Sequence, residues 1–492
     1  MRDAARICPL LFLVVAVAFA ADPPSPPKAR TLEQQLAALV EQAPAARSIA
    51  GIHVVDLATG KTLFARNENR MFLPASNMKI ATSALALTRL GADYRFETRL
   101  VLEPSGDLTL IGSGDPSLSG RAYPYDKDAS KAPGLRALDE LAQQAVAAGL
   151  KRVDGDIRGD DRRYPWSPYP ATWTQEDAVG DDGAPVSALT VNDNAITIAV
   201  QHGAQAGDPA VLTLNPALEY FAIDNRVTTV AGIRQGKVRV SRLPGSRQLQ
   251  LWGSVPLNGA VGVTVAVDDP ALFAACALYD ALVKRGVSVR GRAVARHRSV
   301  SEDEPSGKDE GQVLASRTSP PLAELLQVVD KVSQNLHAEL LLRETGRVAK
   351  HSGTGEGGIE ALEEFLMELG AAKEDYALED GSGLSRNALV TPRLMTRILA
   401  HMYAGANRET WVNLLPVGGE DGTLQNRMGC CKATATHIHA KTGTLARSVA
   451  LSGYADRGER GMLAFSILVN NFSAHASDVR TWVDKMALTL LE

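Results

Sequence analysis

The chain has 492 residues, enough for several domains, and its 45% apolar and 22% charged content is that of an ordinary globular protein. A formal charge of −4 gives no sign of a nucleic-acid or anionic-membrane partner, so none is expected. Four cysteines are too few for a disulfide framework in a chain of this length.

The N-terminus reads as a secretion signal. Arg2 and Arg6 precede the apolar run Ile7 to Ala20, "AFA" at Ala18–Ala20 offers a small-residue cleavage site, and a Pro-rich segment follows. The run is short for a bilayer span and no later run is long enough. The expectation is a signal peptide over 1–20, export to the periplasm and no stable membrane anchor. Cys276, Cys430 and Cys431 then remain; a bond between the adjacent pair would be strained, and all three read as structural.

Ser48–Arg66 predicts a β-hairpin turning at Thr59-Gly60. "FLPASNMKIATSALAL" (Phe72–Leu87) predicts a helix stopped by Gly91. A strand pair follows at "RLVLEPSGDLTLIGSGDPSL", then a helix over Leu135–Leu150. Val153–Arg298 holds many short strand-like runs and one helix, and Ser299–Gln312 reads as an exposed charged connection. Helices resume at "PLAELLQVVDKVSQNLHAELLLRETG" and "GGIEALEEFLMELG". Three strands and a helix close the chain. Strands and a helix, a β-rich middle, a helical block and then strands again read best as one α/β domain with a large insertion after the first helix.

Ser76 and Lys79 stand three apart on the first helix and so share a face near its N-terminus. A hydroxyl beside an amine and free backbone N–H groups can be an activated nucleophile. A second S-x-x-K, Ser25 to Lys28, contains two prolines that preclude a shared helical face. Downstream, "VSQNLHAE" supplies an S-x-N triplet, Ser333 and Asn335, with a second copy at Ser385 and Asn387. "AKTGT" supplies Lys441, Thr442, Gly443 and Thr444 on an apparent strand, and K-T-G occurs once. The ordered trio S-x-x-K, S-x-N, K-T-G is the set found in β-lactamases and penicillin-binding proteins.

The chemistry accounts for each member. Acyl transfer needs a nucleophile, a base, a proton relay and an oxyanion site. Ser76 Oγ is expected to attack. Lys79 serves as base if burial and the nearby Lys441 lower its pKa. Ser333 relays a proton to the leaving amine, Asn335 orients Lys79, and Gly443 admits substrate close to the strand. The N–H groups of Ser76 and Thr444 are the expected oxyanion donors. Thr442 and Thr444 lie on one side of the strand, suited to a substrate carboxylate. No metal and no cofactor is called for.

The chain resembles the class C low-molecular-mass penicillin-binding proteins, exported D-alanyl-D-alanine carboxypeptidases and endopeptidases. Besides the trio it carries "GSGDPSL" (Gly112–Leu118), "APVSALTVNDN" (Ala184–Asn194), "DGSGLSRNALVTP" (Asp380–Pro392), "LPVGGEDGTL" (Leu415–Leu424) and "KTGTLARSVALSGY" (Lys441–Tyr454). The resemblance implies an α/β penicillin-recognising fold: an antiparallel sheet flanked by helices, a helical subdomain, and two nested β-rich inserts. On that basis residues 21–98 and 299–492 form the catalytic domain, 99–121 and 205–298 a second, and 122–204 a third nested in it. It also implies peptidoglycan stem peptides as substrates and β-lactam antibiotics as acylating mimics. Arg386 in "GLSRN" and Asp177 in "WTQED" match family positions near the site, where an opposite pair would hold a zwitterionic side-chain end. The alternatives are a serine β-lactamase and a non-catalytic wall-binding protein. Glu409 and Asn413, in E-x-x-x-N spacing, read as ordinary surface or core residues, and His437 and His439 as residues packed on one strand face.

Overall fold

The computed structural model describes residues 30–44, 47–130, 132–232, 234–305 and 311–492. The predicted signal peptide, the decoy Ser25–Lys28 and part of the Ser299–Gln312 connection lie outside the described residues. Among the described residues no helix is long and apolar enough to cross a membrane.

The predicted hairpin forms as strands Ile49–Asp56 and Thr62–Arg66, with Gly60 at φ +71° in the turn. It joins the three C-terminal strands in an antiparallel sheet ordered Ile438–Leu445, Ser448–Asp456, Met462–Asn470, Ile49–Asp56, Thr62–Arg66. The strand carrying K-T-G is therefore an edge strand. Period-two alternation explains why "MLAFSILVNN" is apolar almost throughout. Leu463, Phe465, Ile467 and Val469 face the helices Leu32–Glu41 and Ala476–Thr489. Ala464 and Leu468 face the helical block on the other side. Each of the large inward residues contributes about 1.5–3 kcal/mol by burial. Trp482 ties the chain ends together by donating from Nε1 to Leu39 O at 2.8 Å.

The serine helix, Met78–Arg89, is preceded by a 3-10 turn over Ala75–Asn77. Every residue from Met78 to Leu87 is buried, so this helix is a central pillar covered on all sides, mostly apolar but with Lys79, Thr82 and Ser83 buried in it.

The insertion holds a second sheet ordered Ala293–Arg296, Ile157–Asp160, Leu108–Ile111, Glu97–Leu102, Gln312–Thr318. Helices Arg136–Ala147 and Pro270–Val283 pack on it. At Gly159 an added Cβ would lie 2.0 Å from Ala271 O, which is why that helix can approach so closely. Beyond it, two three-stranded sheets face one another across Ile198, Val200, Leu249, Leu251 and Val265. One sheet is Ala222–Val230, Lys237–Arg242 and Gln248–Pro256; the other is Ala195–Gln201, Val211–Asn215 and Ala260–Ala266.

Hydrogen bonding departs from the sequence boundaries in two places. Gln312–Thr318, assigned by sequence to the catalytic segment, pairs with Glu97–Leu102 in the inserted sheet. Ala195–Gln201, assigned to the unit 122–204, sits between Val211–Asn215 and Ala260–Ala266. Non-local pairing of this kind leaves no mark in local periodicity.

Candidate active site

The structure brings the three motifs into one cleft where helix, turn and edge strand meet. Ala75 holds φ +48°, a left-handed conformation rare for a residue with a Cβ, immediately before Ser76. Ser333 likewise holds φ +67°, ψ +38° at the end of a π-turn, Val328–Val332. Both serines are partly exposed, whereas Lys79 and Lys441 are completely buried. Two hydroxyls thus face the cleft with two amines sealed behind them.

Lys79 Nζ lies 3.0 Å from Ser76 Oγ, 2.6 Å from Asn335 Oδ1 and 2.8 Å from Ser382 O. The Asn335 amide orientation follows from donor accounting. Its Nδ2 donates to Asp182 O at 2.8 Å, and a carbonyl only accepts, so Oδ1 faces Lys79. Asn335 Oδ1 and Ser382 O are likewise pure acceptors. A neutral Lys79 amine gives its two hydrogens to them and aims its lone pair at Ser76.

Burial pushes the Lys79 pKa down to about 8, against the raising effect of Asp380, Glu339, Asp330 and Asp182. The sequence expectation credited Lys441 with part of this shift; the structure assigns it to burial. The cation effect falls on Lys441, held well below its usual range by burial and then by Lys79. Lys441 Nζ donates to Ser333 Oγ at 2.8 Å and to Thr442 O at 3.0 Å.

On the edge strand, Ala440 N–H points out of the sheet to Pro416 O at 2.9 Å. Strand periodicity turns the N–H groups of Thr442 and Thr444 to the same outer edge. The same strand packs against the serine turn, where Asn77 Nδ2 donates to Lys441 O at 2.9 Å. Gly443 also has a packing role. An added Cβ would meet Pro74 O at 2.7 Å and Asn77 Nδ2 at 3.1 Å, so the glycine lets strand and turn close on each other.

Sequence reasoning left several partners unassigned. Thr423, in "GEDGTL", shares a 2.7 Å hydroxyl contact with Thr442. Asp380 builds the loop that presents Ser382 O, accepting from Trp173 Nε1, Ser382 Oγ, Gly383 N and Ser385 N at 2.8–3.0 Å. Glu339 accepts from Gly381 N and Ser382 N at 2.9 and 2.8 Å, and burial pushes its pKa up to about 8. The quoted "DGSGLS" motif was the available signal.

Residues 32–491 match the D-Ala-D-Ala carboxypeptidase 3 (S13) family. The D-alanyl-D-alanine carboxypeptidase of Actinomadura sp. strain R39 is 35% identical over 463 residues, 90% of this chain and 82% of the relative.

The chain belongs to the S13 family.

As an S13 member it is a serine-type D-Ala-D-Ala carboxypeptidase with the mixed α/β fold expected from sequence. The D-alanyl-D-alanine carboxypeptidase DacB of Haemophilus influenzae is 24% identical, with 84% of each chain covered. The crystal structure of penicillin binding protein 4 from that organism superposes with a TM-score of 0.79 at 22% identity, over 93% of this chain and 99% of that one. A second structure of it, complexed with a β-lactam, gives 0.74 over 92% and 98% at 21% identity.

Arg386 and Asp177 of the S13 chain meet each other. Arg386 Nη1 and Nη2 donate to Asp177 Oδ2 and Oδ1 at 2.8 and 3.1 Å, and Thr174 N and Oγ1 also donate to Oδ2. The pair is closed on itself. Glu409 and Asn413 are exposed on the helix Arg408–Leu414. His437 sits in a turn before the strand that contains His439, so the two do not share a strand face.

Proposed function

We propose that the cleft cleaves D-alanyl-D-alanine ends and cross-links of peptidoglycan stem peptides, with Ser76 as nucleophile. The observation that carries this is the Lys79 amine, 3.0 Å from Ser76 Oγ with its other two partners both obligate acceptors. Lys79 takes the Ser76 proton as Oγ attacks the carbonyl carbon of the penultimate D-Ala. The oxyanion is received by the N–H groups of Ser76 and Thr444. Ser333, held by Lys441, relays the proton taken up by Lys79 to the leaving amine, and the Ser76 ester forms as the peptide bond breaks. Water then hydrolyses the ester. Thr442, with Thr423, receives the substrate carboxylate. β-Lactams acylate Ser76 by the same route, with the ring C–N bond in place of the peptide bond. Family membership favours this reading over the β-lactamase and wall-binding alternatives. We further infer residues 1–20 as a cleaved signal peptide and the periplasm as the working location. The domain division keeps its order, with the return to the catalytic domain after Thr318 and the nested unit at 195–266.

Arg386 and Asp177 act as the specificity pair. A diaminopimelate carboxylate displaces Asp177 from Arg386, while the amine at the same end engages the Asp177 carboxylate. Such charge-assisted hydrogen bonds are worth about 1.5–3 kcal/mol. Arg386→Ala should lower kcat/KM on muropeptides bearing a free diaminopimelate end by about 10–100-fold, with acylation by a simple penicillin little changed. Mass spectrometry of products from purified muropeptides reads both the rate and the bond cut. No D-Ala release and no cross-link cleavage by the wild type would refute the function, and equal losses on peptide and penicillin would make Arg386 structural.

A further inference from the structure

The inserted unit carries a surface that the chemistry at Ser76 does not use. The strand Gln248–Pro256 is the middle of three, and Leu249, Leu251 and Val255 alternate into the core beneath. The residues between them face solvent. Among these, Trp252 is 38% exposed at the centre of the sheet. The register places Arg239 of one neighbouring strand and Arg226 of the other directly beside it, and directly paired residues share a face. Gln250, Lys237 and Asp224 fill adjoining positions on that face. Arg226 is held by Asp224 at 2.7 Å. Among the described residues no cation stacks on the indole, so its ring is left for another partner.

We propose that this face binds the glycan strand of peptidoglycan, a proposal that rests on the peptidoglycan reading of the Ser76 site. An indole in the middle of a polar sheet face leaves apolar area in water. The C–H face of a sugar ring covers it while the ring's hydroxyl and acetamido groups meet Gln250 and the guanidinium groups. Three strands span about 10 Å from edge to edge, room for two sugar rings in a row. Arg239 and Lys237 match the carboxylates of the stem peptides that such a strand carries. The face is also tied to the segment that carries Asp177. The strand holding Lys237 and Arg239 ends at buried Arg242, whose Nη2 donates to Ala178 O at 2.9 Å. Ala178 adjoins Asp177, the partner of Arg386. A glycan strand lying on Trp252 would hold its stem peptides near the rim of the cleft.

The test is co-sedimentation of the full protein with purified sacculi and with glycan strands stripped of stem peptides, for the wild type, Trp252→Ala and Trp252→Tyr. Trp252→Ala should weaken binding to both polymers at least tenfold, and Trp252→Tyr should keep most of it. All three should hydrolyse a soluble pentapeptide within twofold of one another. Equal sedimentation of wild type and Trp252→Ala would overturn the proposal. So would wild-type binding to sacculi but not to stripped strands, or a wild-type dimer that Trp252→Ala dissociates with no glycan binding in either protein. Failure of the wild type to cleave the soluble peptide would overturn the peptidase reading alone, since the sedimentation result stands apart from it.

Discussion

Lys79→Met should lower the rate constant for acylation by penicillin by about 10²–10⁴-fold at pH 8, the range expected for loss of a positioned base. Methionine has nearly the length of the lysine stem and no charge, so it suits a fully buried slot. The variant loses the acceptor for the Ser76 proton and leaves Asn335 Oδ1 and Ser382 O without their donor. Those two losses act on folding at about 1–3 kcal/mol each, partly offset because a buried cation is no longer desolvated. The pH dependence of the wild type separates base loss from misfolding. With the Lys79 pKa near 8, roughly a tenth of the amine is neutral at pH 7. The neutral form is the base, so kcat/KM should rise with pH and level off above about 8. A flat profile from pH 6 to 9, or wild-type acylation by Lys79→Met, would count against Lys79 as base.

Asp380→Ala should destabilise the fold by about 3–5 kcal/mol, a large effect for one substitution. The carboxylate is almost wholly buried and accepts four hydrogen bonds, two of them from the backbone N–H groups of Gly383 and Ser385. Alanine leaves those donors buried and unpaired. The same loop presents Ser382 O to Lys79, so acylation should fall along with stability. Asp380→Asn keeps one acceptor and should lie between the two. Urea unfolding midpoints at constant slope measure this, and a change under 0.5 kcal/mol for Asp380→Ala would show that the loop holds its shape without the carboxylate.

Much of the site was legible because the motifs are local. Ser76 and Lys79 are set by helical spacing, Thr442 and Thr444 by strand alternation, and Ser333 and Asn335 by a triplet on one segment. The structure adds what spacing cannot encode: which amide oxygen of Asn335 meets Lys79, and that Gly443 serves strand-to-turn packing. Asp380 stood in the quoted "DGSGLS" motif, but neither it nor Glu339 could be given a role from spacing, because both act through loop backbone. Arg386 and Asp177 were found by resemblance, but sequence could not show that they bind each other. The hairpin, the serine helix and the closing strands were legible from periodicity. The pairing of Gln312–Thr318 with Glu97–Leu102 was not, since it joins segments separated by the whole insertion.

Peptide mapping after penicillin labelling tests the central claim most directly. The protein is incubated with penicillin, digested, and the adduct located by mass spectrometry. A single adduct on Ser76 is predicted, because among the described residues its hydroxyl stands beside the buried Lys79 amine at the cleft surface. An adduct on Ser333 or Ser382, with Ser76 unmodified, would contradict the mechanism.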